Sequence, residues 1–463
     1  MQFEKRERCV LRLPDVRLAA LAVLLAALGS LACSESESPA PRFNLVLISI
    51  DTLRADHVGA YGYPLPTTPH IDALAEHSLR LVNCVAHAPT TLASHASLLT
   101  SLLPQHHGAS ISRQSRLAEG AETLAEVLAE HGYRNASFNG GVQLDAAYGL
   151  DRGFEIYESA KSHDALAQAL TGPEDRLRHG VERAIHWLDD TQGPFFVFLH
   201  SYEIHHPYTP DAEHLRLFDA GYAGNLPDHI SVEVLERINA EPEPLPPEDL
   251  SHIVHAYDAE LRSSDEAIGQ LVAYLKARSL YDDTLIVVTS DHGEEFGEHG
   301  WVGWHAHSLY DELLLVPLII KFPGSRLAGS VEKSQARGID VAPTALAALG
   351  IQAPESWTGR DLGQELGAPS PAAVSMHDVP GKLPLWTLRS NGWKLKRVGG
   401  EALFDLEADP EERRNVAARH PEKAAAQRSL GSRLLNERRR PKDVIATLPA
   451  GTQEQLRELG YLE

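Results

Sequence analysis

Cysteine is scarce in this chain of 463 residues, with only Cys9, Cys33 and Cys84 present. Two of these sit at the amino end, which excludes a disulfide framework for the body. Cys84, in Cys84-Val-Ala-His-Ala, reads as a small buried apolar side chain. Positive charge is also short, since 42 Lys and Arg stand against 64 Asp and Glu for a formal net charge of −22. A nucleic acid requires a basic face, so no nucleic-acid partner is expected. A small anionic substrate remains allowed, because a metal ion reverses the local field. No internal repeat is evident, which removes solenoids and propellers.

What long apolar sequence there is lies at the start. Residues 1 to 17 carry Lys5, Arg6, Arg8, Arg12 and Arg17, and Leu18 to Ala32 is an uncharged Leu/Ala run. A basic start before an apolar stretch too short to span a bilayer comfortably is the layout of a secretory signal. Its end, Ser30-Leu31-Ala32-Cys33, resembles a bacterial lipobox with Cys33 as the lipidated first mature residue. A cleaved non-lipid signal or an uncleaved anchor is the alternative. Ser34-Glu-Ser-Glu-Ser-Pro-Ala-Pro41 has the composition of a linker. We therefore expect an exported, periplasmic or cell-surface lipoprotein held at a bacterial membrane by its amino-terminal lipid. Its parts would be a signal at 1–33, a linker at 34–42, a catalytic domain at 43–365, and a carboxyl-terminal subdomain with a helical tail at 366–463.

In the body, β-branched and Phe-rich runs end in chemistry-bearing residues. Phe43-Asn-Leu-Val-Leu-Ile-Ser-Ile50 ends in Asp51, Leu285-Ile-Val-Val-Thr-Ser290 ends in Asp291-His292-Gly293, and Pro194-Phe-Phe-Val-Phe-Leu-His200 is followed by Glu203 and His205-His206. Continuous apolar strands are buried on both faces, and the carboxyl ends of such strands open on the crevice where α/β folds bind ligands. Two acids and an imidazole delivered there suit a divalent cation with an open coordination position. Asp51 could instead cap the next turn. The alternation of these runs with helical patterns predicts a sheet covered on both sides.

The stretch Ala88-Pro-Thr-Thr91-Leu-Ala-Ser94-His95 leads into an apolar segment with Leu98, Leu99, Leu102 and Leu103, closed by Pro104 and Gly108. This predicts a short helix whose positive end faces an anion. Any capped helix shares that pattern. Taken with Asp51-Thr-Leu-Arg-Ala-Asp-His57, Asp291-His-Gly and Tyr310-Asp-Glu-Leu-Leu-Leu-Val-Pro317, it resembles the sulfatase family of the alkaline-phosphatase superfamily. The resemblance covers residues 43 to 425 and departs in five places. Thr52 stands where many members have a second aspartate, Thr91 where the family has a Cys or Ser converted to formylglycine, His95 replaces its arginine, Asn139 lies near where a Lys-x-His pair is usual, and His305 or His307 takes the place of a lysine.

The resemblance implies an alkaline-phosphatase-like α/β/α sandwich with a smaller carboxyl-terminal α+β subdomain. It implies Thr91 as a metal-activated nucleophile, with Asp51, Asp291, His292 and Thr91 around one divalent ion (Ca, Mn, Mg or Zn). His95 would offset substrate charge, and His205 and His305 would protonate the leaving alcohol, with His307 the other choice for the latter. A second ion, if bound, would use His205 and Glu203. The expected activity is metal-dependent hydrolysis of a sulfate, phosphate or phosphonate ester on a small molecule, glycan or lipid. The alternatives are a membrane-tethered phospho- or sulfo-transferase and a non-catalytic binding lipoprotein.

Overall fold

Alternate residues of Asn44–Ile50 belong to opposite cores: Leu45 and Leu47 pack on one side of the sheet, and Val46, Ile48 and Ile50 on the other. The same split holds for Leu285 and Val287 against Ile286 and Val288. Period-two alternation with apolar residues at every position is what a strand covered by helices on both faces requires. The computed structural model describes residues 43–159, 176–241, 243–378, 384–438 and 440–458. The expected signal and linker, residues 1–42, lie outside that set. Among the described residues no helix is long and apolar enough to cross a membrane.

The strands in chain order are β1 (Asn44–Ile50), β2 (Leu79–Val85), β3 (Arg134–Asn139), β4 (Ile156–Ser159), β5 (Phe195–Ser201), β6 (Thr284–Thr289), β7 (Glu295–Phe296), β8 (Val302–Trp304), β9 (Leu315–Lys321), β10 (Ser330–Glu332) and β11 (Ala336–Arg337). The main sheet runs β10-β2-β9-β6-β1-β5-β3-β4, with β11 also on β2. β6, β1, β5 and β3 are mutually parallel, while β9 is antiparallel to both of its neighbours. Ser49 is in register with Thr289 on one side and His200 on the other, so the ends of three central strands arrive together. β7 and β8 form a separate ribbon beyond them.

A second sheet of β12 (Ala373–His377), β13 (Leu385–Ser390), β14 (Trp393–Arg397) and β15 (Glu401–Asp405) is an antiparallel meander. It packs Val374, Leu388, Leu395 and Leu403 against the helix Pro421–Asn436 in a third core. The expected fold class therefore holds: a mixed α/β sheet clad by helices, with a small α+β appendage. Residues 208–250, read from sequence as an insertion, hold helices Ala212–Phe218 and Val232–Ala240 before a long helix Pro247–Ala277.

Candidate active site

Asp51 and Asp291 lie just past the ends of the adjacent parallel strands β1 and β6, and His292 follows. All three are buried, and one ligand atom from each falls within 4.8 Å of the other two. His292 Nε2 is 3.4 Å from Asp291 Oδ2 and 3.9 Å from Asp51 Oδ1. Each group has its remaining polar atom tied down. Asp51 Oδ2 accepts from Thr91 Oγ at 3.2 Å and from His200 Nε2 at 3.2 Å, and His292 Nδ1 donates to the Gly293 carbonyl at 3.0 Å. Asp291 Oδ1 accepts from the Thr52 amide at 3.4 Å. Left over, buried and without a hydrogen bond, are Asp51 Oδ1, Asp291 Oδ2 and His292 Nε2. Three orphaned acceptors facing one another are costly without a cation between them, and this donor set fits a divalent metal ion.

The electrostatics agree. Burial pushes the Asp51 carboxyl up to about 7 against the pull of His292 and the Thr91 hydroxyl. Burial alone would lower His292, but the carboxylates of Asp291 and Asp51 outweigh it and leave the imidazole raised. Local backbone serves the same end. Thr52 takes φ 55°, a left-handed conformation that a β-branched residue adopts at a cost of about 1–3 kcal/mol, and thereby turns its amide toward Asp291. A Cβ at Gly293 would come 2.0 Å from the Glu312 carbonyl, so the third residue of Asp-His-Gly is confined to glycine by packing.

Thr91 is the first residue of a helix, Thr91–Thr100, in which every side chain is buried. Thr90 is its N-cap and makes no side-chain capping bond, and the Thr91 hydroxyl is turned to Asp51 instead of to its own helix. That separates Thr91 from an ordinary cap. The helix closes at Ser101 (φ 54°), earlier than expected, and Pro104–His107 is a separate turn ended by Gly108. Ser94 Oγ donates to the Asp291 carbonyl at 2.6 Å, and the Leu92 amide donates to Gln143 Oε1 at 3.1 Å.

His95 departs from expectation. Its Nδ1 donates to the Thr91 carbonyl at 2.9 Å, its Nε2 pairs with Ser49 Oγ at 2.9 Å, and burial lowers it to about 4. A neutral ring with both nitrogens engaged braces Thr91 and has no charge to offer a substrate. Asn139 is likewise turned inward, accepting from the Gly141 amide at 2.9 Å and donating to Ser137 Oγ at 3.0 Å.

A second group gathers His205, His206 and His305, again with one nitrogen from each within 4.8 Å of the others. His205 Nδ1 donates to the His206 carbonyl at 2.5 Å and His305 Nδ1 to Glu294 Oε1 at 3.0 Å. Burial lowers His305 to about 3 and His205 well below the usual imidazole value. Nδ1 is the engaged nitrogen in both rings, and their expected role is to protonate a leaving alcohol. His307 lies apart, with its Nε2 2.6 Å from Glu295 Oε2. Glu203, expected beside His205, instead accepts from the Leu177 amide at 3.0 Å and from Ser264 Oγ at 2.9 Å. Sequence reasoning missed His200, Gln143 and Glu294 as members of the site.

The family model for sulfatases matches residues 43–351. An ulvan-active sulfatase of Formosa agariphila is 26% identical over 93% of this chain and 88% of its own length. The multifunctional alkaline phosphatase superfamily protein PehA of Trinickia caryophylli is 26% identical over 86% and 95%. Among solved structures, the phosphonate monoester hydrolase of Agrobacterium radiobacter superposes with a TM-score of 0.68 at 22% identity, covering 85% of this chain and 95% of that one.

Proposed function

The chain belongs to the sulfatase family, and from that premise we propose that it hydrolyses sulfate, phosphate or phosphonate esters with the Thr91 hydroxyl as nucleophile. One observation carries this reading: the orphaned atoms of Asp51, Asp291 and His292 surround a site bordered by Thr91, whose hydroxyl is 3.2 Å from Asp51. Thr91 cannot be oxidised to formylglycine, so the chemistry of a Cys- or Ser-derived aldehyde hydrate is replaced by direct attack of an alcohol. The named relatives, a sulfatase and a multifunctional member of the superfamily, favour an ester at sulfur or phosphorus.

Asp51, Asp291 and His292, with Thr91 beside them, would hold a divalent ion, which when bound would supply Lewis acidity to the Thr91 hydroxyl and to the ester oxygens. Asp51 accepts the hydroxyl hydrogen bond and aims Thr91 Oγ. His95 and Ser94 fix the helix start through the Thr91 carbonyl and the Asp291 carbonyl. The helix end presents its positive pole to the equatorial oxygens. A bond forms from Thr91 Oγ to sulfur or phosphorus as the ester bond to the alcohol breaks, the hydroxyl proton passing to Asp51 Oδ2 and on to solvent and the departing alkoxide taking a proton from water or from His205 or His305; water then cleaves the threonyl ester, restoring the Thr91 hydroxyl and releasing the inorganic anion.

The test uses the purified full chain with aryl sulfate, phosphodiester and phosphonate monoester substrates in Mn, Zn or Ca. Thr91→Ala is expected to lower kcat/KM by at least about 10³-fold, as loss of a nucleophile does, while Thr91→Ser retains turnover. Acid-quenched enzyme should carry the transferred group on the Thr91 peptide by mass spectrometry. Turnover indifferent to Thr91→Ala sinks the assignment, and binding without turnover on any ester favours a binding protein.

A further inference from the structure

The non-bridging oxygens of an ester need donors, and several side chains around Thr91 have spent theirs on the protein itself. Ser94 Oγ donates to the Asp291 carbonyl, His200 Nε2 to Asp51 Oδ2, and both nitrogens of His95 are engaged. Gln143 differs. It is 1% exposed, and its Oε1 accepts at 3.1 Å from the amide of Leu92, the second residue of the Thr91 helix. An N–H is met only by an acceptor, so the carboxamide has one orientation, with Oε1 on the helix amide and Nε2 on the other arm. Among the described residues the side chain is hydrogen-bonded through Oε1 alone, which leaves both Nε2 hydrogens for a ligand. The loop behind it is held firmly. Tyr202 Oη accepts from the Gln143 backbone amide and donates to the Gly141 carbonyl, both at 3.3 Å, and Asp145 accepts from Thr452 Oγ at 2.8 Å on the carboxyl-terminal helix Ala450–Glu458. Val142 between them takes φ 51°, a left-handed conformation that a β-branched residue keeps only where its surroundings impose it.

We propose that Gln143 is a further catalytic residue, its Nε2 donating to a non-bridging oxygen of the ester as Thr91 attacks; the inference rests on the Thr91 reading above for which group is transferred. Because Oε1 already accepts from the positive end of the helix, the amide is polarised toward Nε2 and carries the helix field to the ligand. A donor fixed before the substrate arrives needs no reorganisation as charge builds on the oxygen. No proton leaves Gln143 and no bond to it forms, and the donor carries no charge.

Two substitutions in the full chain, assayed in Mn²⁺ with an aryl sulfate and a phosphonate monoester, separate this contact from its alternatives. Gln143→Glu keeps an acceptor for the Leu92 amide and replaces the donor. Gln143→Met keeps the length of the side chain and removes donor and acceptor without adding charge. Loss of one preorganised donor costs about 10²–10³-fold, so kcat/KM should fall by that factor in both, with kcat carrying the loss. Gln143→Glu within threefold of wild type overturns the proposal, because holding Leu92 is then the whole role. Gln143→Met within threefold overturns it too, because any loss in Gln143→Glu is then an effect of charge alone. Turnover that survives Thr91→Ala and is lost in both Gln143 variants counts against the Thr91 reading and leaves Gln143 as the donor. Should Gln143→Met fail to fold, Gln143→Leu takes its place. Should the wild type turn over neither ester, calorimetric titration of the Mn²⁺-loaded protein with inorganic sulfate decides. Binding weakened at least tenfold in both variants supports the proposal, and binding kept in either, or absent in the wild type, overturns it.

Discussion

Two ligand groups share one crevice and are built from opposite materials. Asp51, Asp291 and His292 come from the ends of two adjacent parallel strands, and two of the three are carboxylates. His205, His206 and His305 come from loops nearly a hundred residues apart, and none is an acid. The first group is short of positive charge: its orphaned oxygens and its raised Asp51 call for a cation to complete it. In the second, burial lowers His205 and His305, and Nδ1 of each is engaged by a carbonyl or a carboxylate. Strand ends therefore supply a rigid, hard-oxygen site next to the nucleophile, and loops supply a cluster of rings with a carboxylate, Glu294, behind His305.

Breaking the rigid site should have the larger effect. Asp291→Asn removes a charge from the first group while keeping the hydrogen bonds of its other oxygen. Loss of an ion that contributes several kcal/mol to the transition state corresponds to about 10³-fold in turnover. Steady-state kinetics in saturating metal checks this. A loss under tenfold would mean that the oxygen-rich site is not where the chemistry is assisted.

His87 sharpens the comparison as a buried imidazole that belongs to neither group. Its Nδ1 donates to the Val374 carbonyl at 2.6 Å, as His205 does to a carbonyl, but its Nε2 is unpartnered, and among the described residues it belongs to no group of possible metal ligands. Burial lowers its pKa from 6.5 to about 4. Below pH 6.5 the folded state thus binds fewer protons at this site than the unfolded chain. Its contribution is complete above pH 6.5 and is lost as pH falls toward 4, at most about 3 kcal/mol. Denaturant midpoints at pH 7 and 4.5 should diverge more in the wild type than in His87→Asn; parallel shifts would refute the burial argument.

The difference between the groups also explains what could be read from residues alone. Asp51, Asp291 and His292 were legible because each follows a run whose apolar continuity predicts a core strand, and a parallel strand has one end that opens on ligand. Thr91 was legible as a hydroxyl ahead of an apolar helix, although its distinction from a cap needed the direction of Oγ. His200 was hidden inside a strand. Its available signal was Ser49, a second polar residue in a neighbouring apolar run, opposite it in register. Glu203 was misjudged because its partners, Leu177 and Ser264, come from helices 26 and 61 residues away. Which carboxylate a loop histidine meets depends on how the loop closes, and residue spacing does not encode it. The helix start at Thr91 likewise gave no warning that His95 would turn inward, since an i to i−4 bond from a ring to a carbonyl competes directly with a ligand role.

The smallest and most selective effect is expected from Glu294→Gln. The substitution keeps the shape of a side chain that accepts from His305 at 3.0 Å and from Tyr208 at 3.2 Å, and removes its charge. Support behind a ligand is typically worth 10–100-fold in metal affinity, about 1.4–2.7 kcal/mol. Turnover should fall by that factor if the histidine group assists the reaction, while metal affinity at Asp51, Asp291 and His292 stays within about twofold in chelator competition. An equal loss at both would mean that the groups act as one electrostatic unit, because Glu294 also adds negative charge near Asp51. No loss at either would mean that Tyr208 and the ribbon of β7 and β8 hold the histidines without it, leaving Trp304 against His206 as the feature that sets their geometry.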